Sequence, residues 1–570
     1  MRNLDNLTIR KRLFYLVLIL LVTSLNLKEV ESAVVDLHKY NPIISGHNAD
    51  PSICLVGDNY FLVTSSNEYF PGIPIYQSKD LVNWKMIGHV LNRPSQLNLD
   101  SVACTKGVFA PTIRYNKGIF YVVSTLTGVE EGKPAGNFIV TAKNPEGPWS
   151  DPVWLKDAKG IDPSLFFDED GKVYYQGNYS PQPKKWSNHR NIWIQEFDVK
   201  NMQLIGNKVD ILDGSDFYQK GNIDGGLNEG VDFFEAPHLY KKDGKYYLIA
   251  GHGGTFQNHA VSVWRSDHVF GPYEINPANP ILTHRDLPAN HPITSTGHAD
   301  LVQTQTGEWW MVYLGRRPYG GEIHILGRET FLSPIGWTSA WPVVNPNGTI
   351  GRGELSLQKP NLKEKKWNSI LAKDEFNGKL LDPRWTFIRT PHSPWWSLSD
   401  RKGFLRLQLR PEIISGIVNP SFMGRRQESP NCSTTIKMEF VPATDNEEAG
   451  LVVERDKDNY FRFILGKEAG QTVLRLFQRN SAKPEDELIA KSGVGAGSVY
   501  MKISSEGVFY TFSYSLNGKE WYVLKDKLDG SFLGMAGAGR FTGTFIGIYA
   551  SANGKGSQNH ADFDWFEYID

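Results

Sequence analysis

From about residue 38 to 355 the chain consists of short β-type hydrophobic runs broken by Gly, Asn, Asp and Pro, and no stretch sustains the period of an amphipathic helix. One phrase recurs five times: Asn48-Ala49-Asp50-Pro51-Ser52, Phe109-Ala110-Pro111-Thr112, Ile161-Asp162-Pro163-Ser164, Phe234-Glu235-Ala236-Pro237-His238 and Gly297-His298-Ala299-Asp300-Leu301. A polar turn follows each copy, and then an aromatic-rich run such as Ile119-Phe120-Tyr121-Val122-Val123 or Trp309-Trp310-Met311-Val312-Tyr313. Asp170-Gly171 and Asp243-Gly244 suit two-residue hairpin turns, and Asn116-Lys117-Gly118 and Thr306-Gly307 suit related ones. Each repeat is therefore a hairpin whose first strand opens at the Pro, where no ladder donor is lost. With Pro51, Pro111, Pro163, Pro237 and Asp300 equivalent, the copies lie roughly 50 to 75 residues apart, near the period of propeller blades. Five copies predict five blades around one axis.

The pattern changes twice further on. A Gln-Lys-Pro stretch and a Lys-Glu-Lys-Lys run ending at Trp367 read as a linker over 356–371, strapped along the first domain. From Asp374 onward, alternating runs such as Phe404-Leu405-Arg406-Leu407-Gln408-Leu409 and Tyr460-Phe461-Arg462-Phe463-Ile464-Leu465 predict an antiparallel β-sandwich over 372–570. Its first and last strands, near Asp374-Glu375-Phe376 and Ala561-Asp562-Phe563, are expected to pair.

Length and charge narrow the function. A chain of 570 residues exceeds one hydrophobic core. Net charge −1 gives no basic footprint for nucleic acid and no electrostatic attraction to an anionic membrane. Residues 1–33 read as a signal peptide: Arg2, Arg10, Lys11 and Arg12 precede the apolar run Leu13 to Val22, and Val30-Glu31-Ser32-Ala33 offers a cleavage site. The expected location is periplasmic or secreted, with no other membrane association and a first domain over 34–355. Of the three cysteines, Cys54 and Cys104 are either bridged or two free buried thiols. Nothing in the chain fixes an oligomeric state.

The informative positions are those where the five copies differ. Asp50 and Asp162 precede their prolines, where the second and fourth copies have Ala110 and Ala236. The fourth copy carries its acid one residue earlier, as Glu235, in the slot of Phe109 and His298. An Asp-Pro alone is a turn signal. Three acids brought to one axis instead suit glycoside hydrolysis, which needs one carboxyl to protonate the leaving oxygen and a second to act at the anomeric carbon. A third carboxylate nearby keeps the acid protonated.

Asn48-Ala49-Asp50-Pro51-Ser52, Gly160-Ile161-Asp162-Pro163-Ser164, Phe234-Glu235-Ala236-Pro237-His238-Leu239-Tyr240, Ser78-Lys79-Asp80-Leu81-Val82-Asn83-Trp84, Gly297-His298-Ala299-Asp300 and Leu326-Gly327-Arg328-Glu329-Thr330 together resemble glycoside hydrolase family 43. The similar branch contains β-xylosidases and α-L-arabinofuranosidases. The resemblance implies an all-β chain, a five-bladed β-propeller followed by a concanavalin-like β-sandwich. It implies an exo-acting inverting enzyme releasing terminal α-L-arabinofuranosyl or β-D-xylosyl residues from plant hemicellulose (xylan, arabinoxylan or xyloglucan side chains), with no organic cofactor. A non-catalytic carbohydrate-binding propeller is the alternative.

Carried onto the matching positions, the resemblance implies Asp50 as general base, Glu235 as general acid and Asp162 as pKa modulator. Arg328 contacts the sugar, and His298 lies near the axis, beside an ion or an ordered water. Phe109 stands where the similar β-xylosidases often have Trp, and Ala236 where the family often has Gly. Phe70, within Tyr69-Phe70-Pro71, is expected as a second pocket wall. Arg425, within Phe422-Met423-Gly424-Arg425-Arg426-Gln427, is expected on a loop closing over the pocket. Glu375 and Asp564 are candidate ligands of a structural Ca²⁺ where the terminal strands meet.

Overall fold

Tight turns set the first level of the architecture. Lys117 and Gly118 take left-handed backbone (φ 48° and 86°), as do Asp243 and Gly244 (φ 51° and 78°). Asn116 therefore pairs with Ile119, and Lys242 with Lys245, across two-residue turns whose twist matches that of the strands. The turn at Asp170-Gly171 is wider than expected: Phe167 pairs with Val173, and Asp168 uses the extra length to accept from Lys241 Nζ (2.8 Å) and Tyr246 OH (2.6 Å) of the next repeat.

The computed structural model describes residues 41–216, 232–288, 290–346, 359–367, 372–495, 497–534 and 541–570. The expected signal peptide 1–33 lies outside them, as do 34–40, 347–358 and 368–371 at the expected domain boundaries.

Five antiparallel sheets follow one another along the chain. Their first strands are Ser52–Val56, Thr112–Asn116, Ser164–Phe167, Glu235–Lys242 and Thr294–Gln303. Each first strand touches that of the repeat before and after it, and the fifth touches the first, which closes a ring around one axis. Residues 41–48 complete the closure on the fifth blade. Ile43 N–H donates to Thr330 O (2.9 Å), Thr330 N–H to Ile44 O (3.1 Å), and Asn48 N–H to Arg328 O (2.8 Å).

A buried polar knot ties the blades near the axis. Asp300 of the fifth blade accepts from Ser52 Oγ (2.6 Å) and Ile53 N–H (3.0 Å) of the first, from both Arg114 Nη atoms of the second (2.8 and 3.2 Å), and from Tyr240 OH of the fourth. Thr112 Oγ1 donates to Pro163 O (2.8 Å), and Ser164 Oγ to Pro237 O (2.5 Å), so the third blade is joined as well. The repeated Ser/Thr after Pro thus links neighbouring blades.

The C-terminal region is a sandwich of two sheets. Lys373 and Asp374 pair with Glu567 and Phe566, joining its first and last strands. Leu451, Phe461, Phe463, Met501, Ile503 and Phe563, buried from both sheets, fill the space between them. Tyr69–Phe70, from within the first blade, adds an edge strand to one sandwich sheet by pairing with Phe387 and Ile388. Tyr69 stacks on Phe545 at 4.0 Å and donates to Glu454 Oε1 (2.9 Å). Residues 359–367 lie over the fifth and first blades: Asn361 N–H donates to Glu308 Oε2 (2.9 Å), Lys365 N–H to Asp80 Oδ2 (2.8 Å) and Trp367 Nε1 to Asn83 O (3.1 Å). The cysteines are free thiols, Cys54 and Cys432 buried and Cys104 half-buried.

Candidate active site

The residue before Pro takes the left-handed conformation in three of the repeats: Asp50 (φ 55°), Asp162 (φ 52°) and Ala236 (φ 53°). A residue with a Cβ adopts this backbone at some cost in energy. The cost recurs where the inner strands begin, and the reversal there turns side chains into one pocket. In the fourth repeat the reversing residue is Ala236, and the side chain delivered is that of Glu235. His298 (φ 46°) makes the same reversal in the fifth. Gly160, two residues before Asp162, is required as glycine: with φ 89°, an added Cβ would stand 1.4 Å from Asn178 O.

Asp50, Asp162, Glu235, His298, Arg328 and Phe109 line one cavity, together with Ala110, Ile161, Thr255 and Phe541. Asp50 Oδ1 accepts from Arg328 Nη1 (2.8 Å) and Oδ2 from Ser65 Oγ (2.6 Å), and His298 Nδ1 lies 3.5 Å from Oδ1. Burial alone would raise the Asp50 pKa. Arg328, His298, the Ser65 hydroxyl and His47 outweigh it and hold this carboxylate below its ordinary range. Asp50 is the ionised acid of the site.

The other two behave oppositely. Burial, then repulsion from Glu235 and Asp50, pushes Asp162 well above its ordinary range against the pull of Arg190 and Arg328. Burial, with Asp50, also raises Glu235, whose Oε2 lies 3.7 Å from Arg190 Nη1. Arg190 is oriented by donating to Asn178 Oδ1 (2.9 Å) and lies over Phe233 at 5.6 Å. The two raised carboxyls act as a pair that holds a proton more readily than Asp50 does.

Two expected residues are elsewhere. Phe70 packs in the seam between propeller and sandwich, because the strand Tyr69–Phe70 is claimed by the sandwich sheet. Arg425 belongs to the strand Ser421–Arg426 and lies within the sandwich beside Phe566 and Tyr568, at 5.9 and 5.7 Å. Its neighbour Arg426 meets the propeller, Nε donating to His47 O (2.7 Å). The sandwich residue that reaches the pocket is Phe541. Its carbonyl accepts from Arg328 Nε (3.1 Å), its ring lies 5.1 Å from the Arg328 guanidinium, and it meets Phe109 edge-on at 6.2 Å. A close glycine contact permits this approach: a Cβ on Gly543 would come within 2.4 Å of Leu326 O.

The two expected calcium ligands are each engaged in an ion pair. Glu375 pairs with Lys373 (2.6 Å) and Asp564 with Lys437 (2.6 Å), so each carboxylate already has an ammonium partner. No group of three or more His, Cys, Asp or Glu residues among those described is arranged for a metal. Phe541, Thr255 and Arg190 lie outside the repeated phrase, and Ile161 stands at its edge. Phe541 stands in the sandwich between Arg540 and Thr542-Gly543-Thr544, a stretch with no periodic or chemical signal.

Comparison with known proteins agrees with this geometry. The description Glycosyl hydrolases family 43 matches residues 40–342, and Beta xylosidase C-terminal Concanavalin A-like domain matches 373–569. The chain belongs to glycosyl hydrolase family 43. It is a glycosidase, and as a member of this family it needs no cofactor for catalysis. A xylosidase/arabinosidase of Butyrivibrio fibrisolvens is 40% identical over 542 residues, covering 92% of this chain and 98% of the relative. A non-reducing end alpha-L-arabinofuranosidase of Bacteroides ovatus is 40% identical over 538 residues, covering 93% and 94%. A xylan 1,3-beta-xylosidase of Vibrio is 38% identical over 554 residues, covering 93% and 99%. Among solved structures, the Bacteroides ovatus xyloglucan PUL GH43B superposes with a TM-score of 0.83 at 38% identity, covering 93% of this chain and 99% of that one. The xylan beta-1,4-xylosidase of Bacillus halodurans gives 0.85 at 32%, covering 93% and 100%.

Proposed function

We propose that this glycosidase removes single α-L-arabinofuranosyl or β-D-xylosyl residues from hemicellulose ends with inversion, Asp50 acting as base and Glu235 as acid. One observation carries the reading: a single pocket places a carboxylate bound by Arg328 beside two neighbouring carboxyls whose pKa values are raised by burial and by neighbouring carboxylate charge. A water attacks the anomeric carbon and passes its proton to Asp50. The glycosidic C–O bond breaks, and the Glu235 proton goes to the leaving oxygen. Asp162 sustains the protonated state of its neighbour by like-charge repulsion. Arg328 orients Asp50 and presents its guanidinium at the Phe541 wall of the pocket, where it meets a sugar hydroxyl. The wall contributed by Phe541 and Phe109 encloses a terminal sugar, consistent with exo action.

The relatives' names, which include both xylosidases and arabinofuranosidases, support the two pentoses without choosing between them. Parallel assays on aryl α-L-arabinofuranoside and aryl β-D-xyloside test the reading. Turnover of one or both is expected, and no turnover of either would overturn it. Export by the segment 1–33 is part of the proposal, resting on its charged start and apolar run.

A second assignment has its own observation: Asp162, like Glu235, is raised by burial and by neighbouring carboxylates and is a rival proton donor. Glu235 is preferred because its carboxylate is the more exposed, on the longer side chain. The pH profile bears on the modulator role. An acid must be protonated to act, so activity is lost as pH rises through its pKa, and a raised pKa extends activity upward. Asp162→Asn removes the like-charge neighbour, so the alkaline limb of kcat/KM is expected to move to lower pH while the rate falls by roughly 10²-fold. An alkaline limb left in place would refute the modulator role.

A further inference from the structure

Behind the pocket wall, the strand Trp309–Arg316 ends at two adjacent arginines in opposite circumstances. Arg317 donates through Nε and Nη2 to the Glu329 carboxylate, 2.7 Å each. Arg316 is 2% exposed, and its Nε and Nη2 have no hydrogen-bond partner among the described residues. Its guanidinium lies 4.7 Å from the centre of the Phe256 ring, and the preceding residue, Thr255, lines the pocket. Thr294, its partner across the sheet, also has a buried hydroxyl with no partner, and so does Thr255.

The surroundings repeat the same sign of charge. Burial, then Arg328 and Arg455, disfavour a charged Arg316, and only Asp50 favours it. Asp50 is already held by Arg328. Arg455 approaches from the sandwich, its Nη1 donating to Leu533 O (3.0 Å). At the next residue, Gly534 O accepts from His324 N–H (2.8 Å), which brings His324 into the same electrostatic neighbourhood. His324 Nδ1 is buried without a partner as well. A guanidinium does not shed its proton in ordinary conditions. Buried charge without a counter-charge is among the costliest features a protein interior carries. Guanidinium N–H and threonine hydroxyl groups are donors that suit an anion.

We propose that Arg316 anchors an anion-binding site at the junction of propeller and sandwich, taking a small inorganic monovalent anion of the halide class. Burial decides against a carboxylate on the substrate. Arg316 is almost wholly buried and is absent from the pocket lining, with Phe256 and Thr255 between it and the space where sugar enters. The bound anion joins a propeller arginine to the field of a sandwich arginine, so its main effect is on the stability of the domain junction.

The test uses the whole protein, with chloride titrated against gluconate at constant ionic strength. Gluconate is a bulky sugar-acid anion, which the burial of Arg316 keeps from its guanidinium. A saturable rise in the thermal midpoint of roughly 4 °C is expected with chloride. Bromide should give an anomalous-scattering peak within hydrogen-bond distance of Arg316 Nε or Nη2, and Arg316→Gln should lose the saturable rise. A midpoint indifferent to which anion is present, or bromide found only elsewhere, would overturn the proposal. If Arg316→Gln does not fold, the wild-type titration and the bromide peak decide.

Discussion

Asp50→Asn is expected to lower kcat/KM by 10²- to 10⁴-fold, the usual contribution of a positioned acid or base, with the fold retained. The amide occupies nearly the same volume and still accepts from Arg328, but it cannot take a proton from water. A loss of about 10³-fold corresponds to about 4 kcal/mol of transition-state stabilisation. Unchanged circular dichroism beside the lost activity would place the defect in the chemistry. Near-normal turnover would contradict the role of Asp50, because among the described residues lining the pocket it is the carboxylate that an arginine hydrogen-bonds directly.

Asp300→Ala should instead unfold the propeller more readily without touching the pocket. Its carboxylate is wholly buried and answers the Arg114 guanidinium, two groups of the first blade and a tyrosine of the fourth. Removing one partner of a buried pair costs roughly 3 to 5 kcal/mol, because the other charge stays buried. The thermal midpoint is expected to fall by about 10 °C. Burial opposes ionisation of Asp300, but Arg114, His238 and Ser52 outweigh it and hold the pKa far below the usual carboxylate range. The sign follows: this contribution is fully present above the unfolded-state value of roughly 4 and is lost as pH falls below it. Wild type should therefore lose stability in acid by a component that Asp300→Ala lacks. A variant with the wild-type midpoint would show that the knot is not what ties the blades together.

The sequence made the repeating parts legible because they recur. The Pro, the turn and the aromatic run mark each hairpin, so five blades and the convergence of Asp50, Asp162 and Glu235 could be read from spacing alone. Asp300 was visible only as the copy lacking Pro. Its part in the knot depends on Arg114 and Tyr240, which belong to other blades and have no local signal. Two placements have no local signal in the sequence. Phe70 sits beside a blade strand in sequence, yet its backbone completes a sandwich sheet, and Arg425 lies on a strand rather than a loop. The first depends on how the two domains meet, the second on strand pairing within the sandwich, where Arg425 pairs with Ile546. The same docking brings in Phe541, through the contact of Gly543 with Leu326. The chemistry of Glu375 and Asp564 suits a cation, and the structure pairs each with a lysine, Lys373 and Lys437.

The division of labour between Glu235 and Asp162 is tested most directly by leaving-group dependence in Glu235→Gln, on whichever pentoside the enzyme turns over. A 2,4-dinitrophenol leaving group departs without a proton, whereas a sugar leaving group needs one. Glu235→Gln is therefore predicted to lose turnover of the natural linkage while retaining most of its activity on the dinitrophenyl glycoside. Equal losses on both substrates, or a selective loss in Asp162→Asn instead, would contradict Glu235 as the acid.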